Sequence, residues 1–267
     1  MNIRRALCLC VAALVLGGCA NDDAEVAGNV AVDEAPAAID PSAVIAAAIG
    51  DSRRPASDVA RDAGRNPQAL LEFAGIAPGM NVLDMFAGGG YYTELVTYIV
   101  GTDAKVVAYN NMGYGAVAGK AIASRYADGR LANVEQLTSN ELALPASTFD
   151  LALFILCYHD VYYLENERGW VRIDRPQMLK TVFDSMKPGG KVVVADHVAK
   201  AGLPLEEVKA LHRIDPELIK ADFLAAGFNF DGESDVLRNP DDDFNVIAMA
   251  PHVRGKTDRA VLRFVKP

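Results

Sequence analysis

Val82-Leu83-Asp84-Met85-Phe86-Ala87-Gly88-Gly89-Gly90-Tyr91-Tyr92 decides how the rest of the chain is read. A hydrophobic run meets an acid, three glycines follow, and a helical pattern opens at Tyr91. Glycines between a strand and a helix let a ligand approach the backbone, and open α/β sheets bind ligands at that carboxyl edge. The amides that open the helix favour a negative group. The dinucleotide spacing G-x-G-x-x-G fails, because counting from Gly88 the last glycine position is Thr93.

Outward from this turn the chain alternates. Strands are expected at 80–86, 105–109, 132–137, 149–156, 191–195 and 261–265. Helices are expected at 91–100, within 115–127, at 176–186 and from Asp215-Pro216 to near Gly227. Segment 149–156 (FDLALFIL) is apolar almost throughout, as a parallel strand covered on both faces must be. Lys187-Pro188-Gly189-Gly190 reads as a helix stop. Asn66 and Pro67 read as N-cap and first turn of a helix running to Phe73. Strands spaced by helices give an α/β, doubly wound, mostly parallel sheet.

The glycine turn resembles motif I of the class I S-adenosylmethionine-dependent methyltransferases, acid-x-Gly-x-Gly-x-Gly. Asp84, Gly88 and Gly90 match, and Phe86 stands at the first glycine. Leu144-Pro145 before Phe149-Asp150-Leu151, and Met186 to Val192, resemble the leads into that family's fourth and fifth strands. More narrowly, Gly90 to Glu94, Tyr158-His159-Asp160 and Thr257-Asp258-Arg259-Ala260 resemble predicted exported methyltransferases of unassigned substrate. The resemblance spans about residues 66–267 and implies a seven-stranded Rossmann-like fold with S-adenosylmethionine (SAM) as cofactor.

It also implies roles. Asp84 lies near the sulfonium and amino groups, with Gly88 and Gly90 beneath the methionine part. Asn110 and Asn111 stand where the family carries a ribose-binding acid, and Asn140 where it carries the adenine-contacting acid. An amide oxygen still accepts such hydrogen bonds, without the strength that charge adds.

After the fourth and fifth strands come Tyr158-His159-Asp160 and Asp196-His197. Methyl transfer to oxygen or nitrogen benefits from a base. His159 is the expected base, Asp160 its orienting partner, and Tyr158 a group that binds the acceptor. The bland alternative is a histidine that caps a strand. His159, Asp160, Asp196 and His197 are suitable ligands for a divalent ion, yet no dedicated spacing marks a metal site and none is expected. His212 and His252 have no patterned company and are expected on the surface or in the core. Tyr91 and Tyr92 are expected to supply one pocket wall and one core residue.

The first 18 residues read as an export signal: Arg4 and Arg5, an apolar run from Ala6 to Leu16, then Gly17 and Gly18. That run is short of the ~20 residues a span needs. Leu16-Gly17-Gly18-Cys19 resembles a bacterial lipobox, which implies lipidation at Cys19; with Ala20 following, the periplasmic face of the outer membrane is expected. An ordinary cleaved signal containing Cys19 is the alternative. Residues 19–40 are Ala-, Asp- and Glu-rich without an aromatic, and read as a tether. Residues 41–65 form an N-terminal helical extension. Its Arg53, Arg54, Asp58, Arg61, Asp62 and Arg65 read either as a solvated face with weak salt bridges or as a lid offering arginines to an anionic acceptor. Of the four cysteines, Cys157 alone falls within the domain and is expected to be a small buried hydrophobe.

Composition bounds the function. The chain has 267 residues, 51% of them hydrophobic, which excludes a wholly disordered chain, a collagen-like repeat and a multi-span membrane protein. A net charge of -9 argues against nucleic acid, which needs a basic face. No protein partner is indicated. Two functions remain: a lipid-anchored SAM-dependent methyltransferase acting on a small molecule or envelope component, and a non-catalytic periplasmic protein that binds a ligand on the same fold.

Overall fold

A computed structural model describes residues 40–163 and 170–267. The signal, Cys19 and nearly all of the tether lie outside these residues. The domain opens with α1 (Pro41–Ile49), the short helices α2 (Ala56–Val59) and α3 (Asp62–Arg65), and α4 (Pro67–Ala74). Then follow β1 (Val82–Met85), α5 (Tyr91–Val100), β2 (Val106–Asn110), α6 (Met112–Arg125), β3 (Val134–Thr138) and β4 (Phe149–Ile155). The second half holds α7 (Arg175–Ser185), β5 (Met186–His197), α8 (Leu205–Leu211), α9 (Pro216–Ala225), β6 (Asn229–Ser234) and β7 (Arg259–Val265).

The seven strands run in the order β3-β2-β1-β4-β5-β7-β6, with β7 antiparallel to both neighbours. The order reverses at β1 and β4, where the ends of adjacent strands part and leave a crevice. Asp84 pairs in register with Ala108 on one side and Leu153 on the other. Because β7 is antiparallel, its first residue reaches the same edge: Arg259 lies opposite His197.

Both faces of the sheet are covered. Leu83, Met85, Phe154 and Val194 pack with Leu179, Val182, Ile219 and Phe223 of α7 and α9. Val82, Leu153, Val193 and Ala195 pack with Leu70, Leu71, Leu95 and Ile99 of α4 and α5. That two-sided burial is why β4 reads as an unbroken apolar run, each large side chain contributing roughly 1.5–3 kcal/mol.

Two local expectations are corrected. Asn66 caps α4 without using its side chain: it takes a left-handed conformation (φ 40°) as α3 turns into α4, a geometry asparagine tolerates. Lys187 to Gly190 is not a bare stop but the irregular first part of β5, where Met186 already pairs with Phe149 and the register then shifts. Edge strand β6 was not foreseen. Its sequence, NFDGES, is polar and mostly exposed, and its pairing with β7 is shifted between Phe230 and Gly232.

Candidate active site at the carboxyl edge of the sheet

The turn from β1 to α5 is held from two sides. Asn110, at the end of β2, accepts from the Gly88 amide (2.8 Å) and donates to the Gly88 carbonyl (3.2 Å). Only an amide makes both bonds; a carboxylate would face the carbonyl without a proton. A Cβ at Gly89 would lie 2.8 Å from Ala121 Cβ, and one at Gly90 2.8 Å from Arg125 Cδ, so α6 closes over these two positions. Gly88 is open, with nothing within 4 Å of an added Cβ. Asp84 is buried and accepts from the Thr93 hydroxyl (2.6 Å). Burial raises its pKa to about 6. Phe86 takes the left-handed geometry (φ 50°) of the glycine it replaces. Its ring packs 5.4 Å from those of both Tyr109 and Tyr114, which offsets the strain.

The extension 41–65 is a solvated face only in part: Arg53 and Arg61 are exposed, Arg54 and Asp58 buried. Asp58 bonds Arg61 (2.5 Å) and buried Arg125 (2.7 Å), and Arg125 also pairs with buried Glu94, which holds Arg130 (2.6 Å). Arg54 grips Asp62 with both ends of its guanidinium, at 2.7 and 2.8 Å. These pairs fix residues 55–65 across the glycine turn.

Beneath lies a cavity of about 1030 Å³. Asp84, Phe86, Gly88, Tyr91, Tyr92, Arg65, His197, Lys256 and Arg259 are among the residues that line it, and Arg65 is near enough to favour ionised Asp84. Both tyrosines therefore face it. Arg65 lies over the Tyr91 ring at 4.5 Å. Arg259 is 5% exposed, and donates to the carbonyls of Thr257 (3.2 Å) and Gly64 (2.6 Å). Among the described residues neither Arg65 nor Arg259 has a carboxylate partner. Burial lowers the Arg259 pKa, the mark of a cation without its counter-ion. His197 bonds Thr257 Oγ1 (2.7 Å), and burial holds its pKa down to about 3.

Several expected site residues lie elsewhere. Asn110, Asn111 and Asn140 do not line the cavity. Asn110 is spent on Gly88, Asn111 caps α6 through the Tyr114 amide (2.8 Å), and Asn140 accepts from the Met112 amide (3.1 Å). Gly90 lies under α6. Tyr158 points into the core and donates to Asp222 (2.8 Å) among Phe154 and Phe223. Cys157 is buried, as expected.

His159 and Asp160 also stand off the cavity, in a 3-10 turn over Tyr158–Tyr162. His159 is 1% exposed; its Nδ1 meets Asp196 at 2.9 Å and its Nε2 meets His212 Nδ1 at 3.2 Å. Burial opposes its charge, but Asp160 and Asp196 outweigh burial and hold the imidazolium well above the ordinary range. Asp160, despite burial, is held at about 2 by His159 and accepts from Tyr114. His212 is pushed down by burial and by the charge on His159. Of the two histidines at this edge, His197 lines the cavity and His159 lies off it, ring centroids 6.0 Å apart. Neither Arg259 nor His212 was singled out in sequence, although the motif at 257–260 contained the first.

No family model matches the chain, and no curated protein is similar to it in sequence. Solved structures are similar to it in fold. A SAM-dependent methyltransferase from Aquifex aeolicus aligns over 85% of this chain and 99% of its own, at 20% identity and a TM-score of 0.53. The phosphoethanolamine N-methyltransferase 2 of Haemonchus contortus, in complex with S-adenosyl-L-methionine, aligns over 74% and 51%, at 16% identity and 0.52. The [4+2]-cyclase SpnF aligns over 81% and 84%, at 16% identity and 0.51. Together with the strand order, these likenesses show that the chain has the Rossmann-like fold of the class I methyltransferases.

Proposed function

We propose that the protein is a SAM-dependent methyltransferase whose small acceptor carries a carboxylate or phosphate. One observation carries this reading: a single cavity joins the open glycine turn and buried Asp84 to two arginines without counter-ions. The turn fits the aminoacyl half of the cofactor, since Gly88 leaves room and Asp84 offers a carboxylate to a positive group. When bound, SAM supplies an electrophilic methyl group on a positively charged sulfur. The chain's own residues do the rest. Arg65 and Arg259 hold the acceptor's anion, and His197, kept neutral, offers a ring for its hydroxyl or amine. Residues from 55–65 and both tyrosines form part of the cavity wall. We place the protein at the periplasmic face of the outer membrane, anchored through Cys19, with an envelope component or small molecule as acceptor.

Calorimetric titration of SAM and S-adenosylhomocysteine into the purified protein tests the cofactor. Micromolar binding that disappears in Gly88→Val supports it; a folded protein that binds neither at millimolar ligand removes it. The second reading, a binding protein on the same fold, is favoured by the Phe86 ring at the first-glycine position and by the amide of Asn110 spent on Gly88. Phe86→Gly separates the two. If the ring blocks the nucleoside, the variant gains SAM affinity over the parent; if the ring is a wall of a working site, affinity falls.

A further inference from the structure

The cluster behind the cavity points to a use that base catalysis does not cover. Three atoms converge there from separate elements. His159 Nε2 and Asp160 Oδ1 come from the turn after β4, and His212 Nδ1 from the residue that ends α8. Their separations are 3.1 Å (His159 to Asp160), 3.2 Å (His159 to His212) and 3.9 Å (His212 to Asp160). Ligands on one face of a tetrahedral zinc site, each about 2.0–2.1 Å from the ion, lie roughly 3.4 Å apart.

His159 Nε2 hydrogen-bonds His212 Nδ1, but its contact with Asp160 is not a hydrogen bond. Asp160 Oδ1 is buried and has no hydrogen-bond partner although Nε2 is 3.1 Å away, so the ring does not aim a proton at it. The other ring nitrogen of His159 is held by Asp196 at 2.9 and 3.1 Å. That carboxylate fixes the ring and aims Nε2 at the cluster, as outer partners of metal-bound histidines do. Tyr114 holds the other Asp160 oxygen and fixes the carboxylate in the same way. The His212 side chain is 29% exposed, which gives an ion a route in.

We propose that His159, Asp160 and His212 bind one divalent transition-metal ion, with zinc as the best match to two imidazoles and a carboxylate. Binding displaces the proton from His159 Nε2 to solvent and forms one bond to each of the three atoms. The Tyr163 hydroxyl, which hydrogen-bonds His212 Nδ1 at 2.8 Å, gives up that contact to the ion and can then bond a metal-bound water. The site does not depend on the methyltransferase reading.

The test uses the full-length protein, purified without chelator and assayed for metal by mass spectrometry, then stripped and titrated with Co²⁺. The expected result is about one equivalent of bound ion and visible absorption of a four- or five-coordinate Co²⁺ centre. His212→Asn keeps the left-handed backbone of that position and is expected to lower the affinity by at least ~100-fold, with circular dichroism unchanged. His252→Asn is expected to bind as the parent does. Stripped, folded protein that takes up less than ~0.1 equivalent of either Zn²⁺ or Co²⁺ overturns the proposal, as does His212→Asn binding Co²⁺ as tightly as the parent.

Discussion

Asp84 sets the pH behaviour of the pocket. Its carboxyl is lifted from 3.8 to about 6 by burial, so the folded protein holds a proton there that the unfolded chain has released. Its contribution to stability is therefore present in acid and declines as pH rises from about 4 to about 6. Binding of a cationic ligand runs the other way, because only the ionised form pairs with it. The apparent affinity for SAM is expected to fall about tenfold from about pH 7 to about pH 5, and calorimetry in buffers of different ionisation enthalpy should detect proton release near pH 6. A pH-independent affinity would show that Asp84 does not meet the cofactor. Arg259 permits a separate check. A hydrogen bond to a charged group contributes about 1.5–3 kcal/mol, so Arg259→Gln should weaken an anionic acceptor by roughly 10- to 100-fold while S-adenosylhomocysteine binds unchanged. Asp84 and Gly88 could be read from sequence because strand, acid and glycine are contiguous. Arg259 could not be assigned a role, because its place beside His197 depends on β7 running backwards into the same edge.

Among the elements, the extension 41–65 departs most from its plain reading. Its charges alternate as on a solvated helix, yet Asp58 and Arg54 are buried, and the partner of Asp58, Arg125, comes from the far end of α6. Removing one member of a buried pair leaves an uncompensated charge and costs about 3–5 kcal/mol. Glu94→Gln, which strips Arg125 and Arg130 of their shared carboxylate, should lower the melting temperature by roughly 10 °C. Arg61→Gln, at an exposed partner of Asp58, should cost under about 1 kcal/mol. Equal effects of the two would show that the network is not a buried one. The same contrast explains which elements were legible. The parallel strands and the helices packed on them carry their burial as apolar runs, and α5 matches its expected bounds. Strand β6 and the start of β5 carry little of it: one is a polar edge, the other a turn drawn into pairing. Their existence follows from β7 and β4 needing partners, which is tertiary information.

At the scale of the molecule, sign and position are at odds in an informative way. The chain carries a net charge of -9, while Arg65, Lys256 and Arg259 are among the residues that line the cavity. A long polyanion would meet repulsion over most of the surface; a small anion feels the focused field of the cavity alone. The envelope location proposed above rests on the first residues, whose Leu16-Gly17-Gly18-Cys19 resembles a lipobox. In the proposed envelope location retention would rest on a lipid at Cys19; among the described residues no helix is long and apolar enough to cross a membrane, and the run from Ala6 to Leu16 is short of the ~20 residues a span needs. Each buried CH₂ of an attached lipid contributes ~0.8 kcal/mol, enough for several chains to hold the protein firmly. Replacing the thiol would remove the proposed point of attachment, which lies outside the described residues. In cells making Cys19→Ser, the protein should move from the membrane pellet to the soluble fraction, while its affinity for S-adenosylhomocysteine stays that of the parent. A variant that still sediments with membranes would place the anchor elsewhere, and the acceptor would then have to be sought without the envelope as a guide.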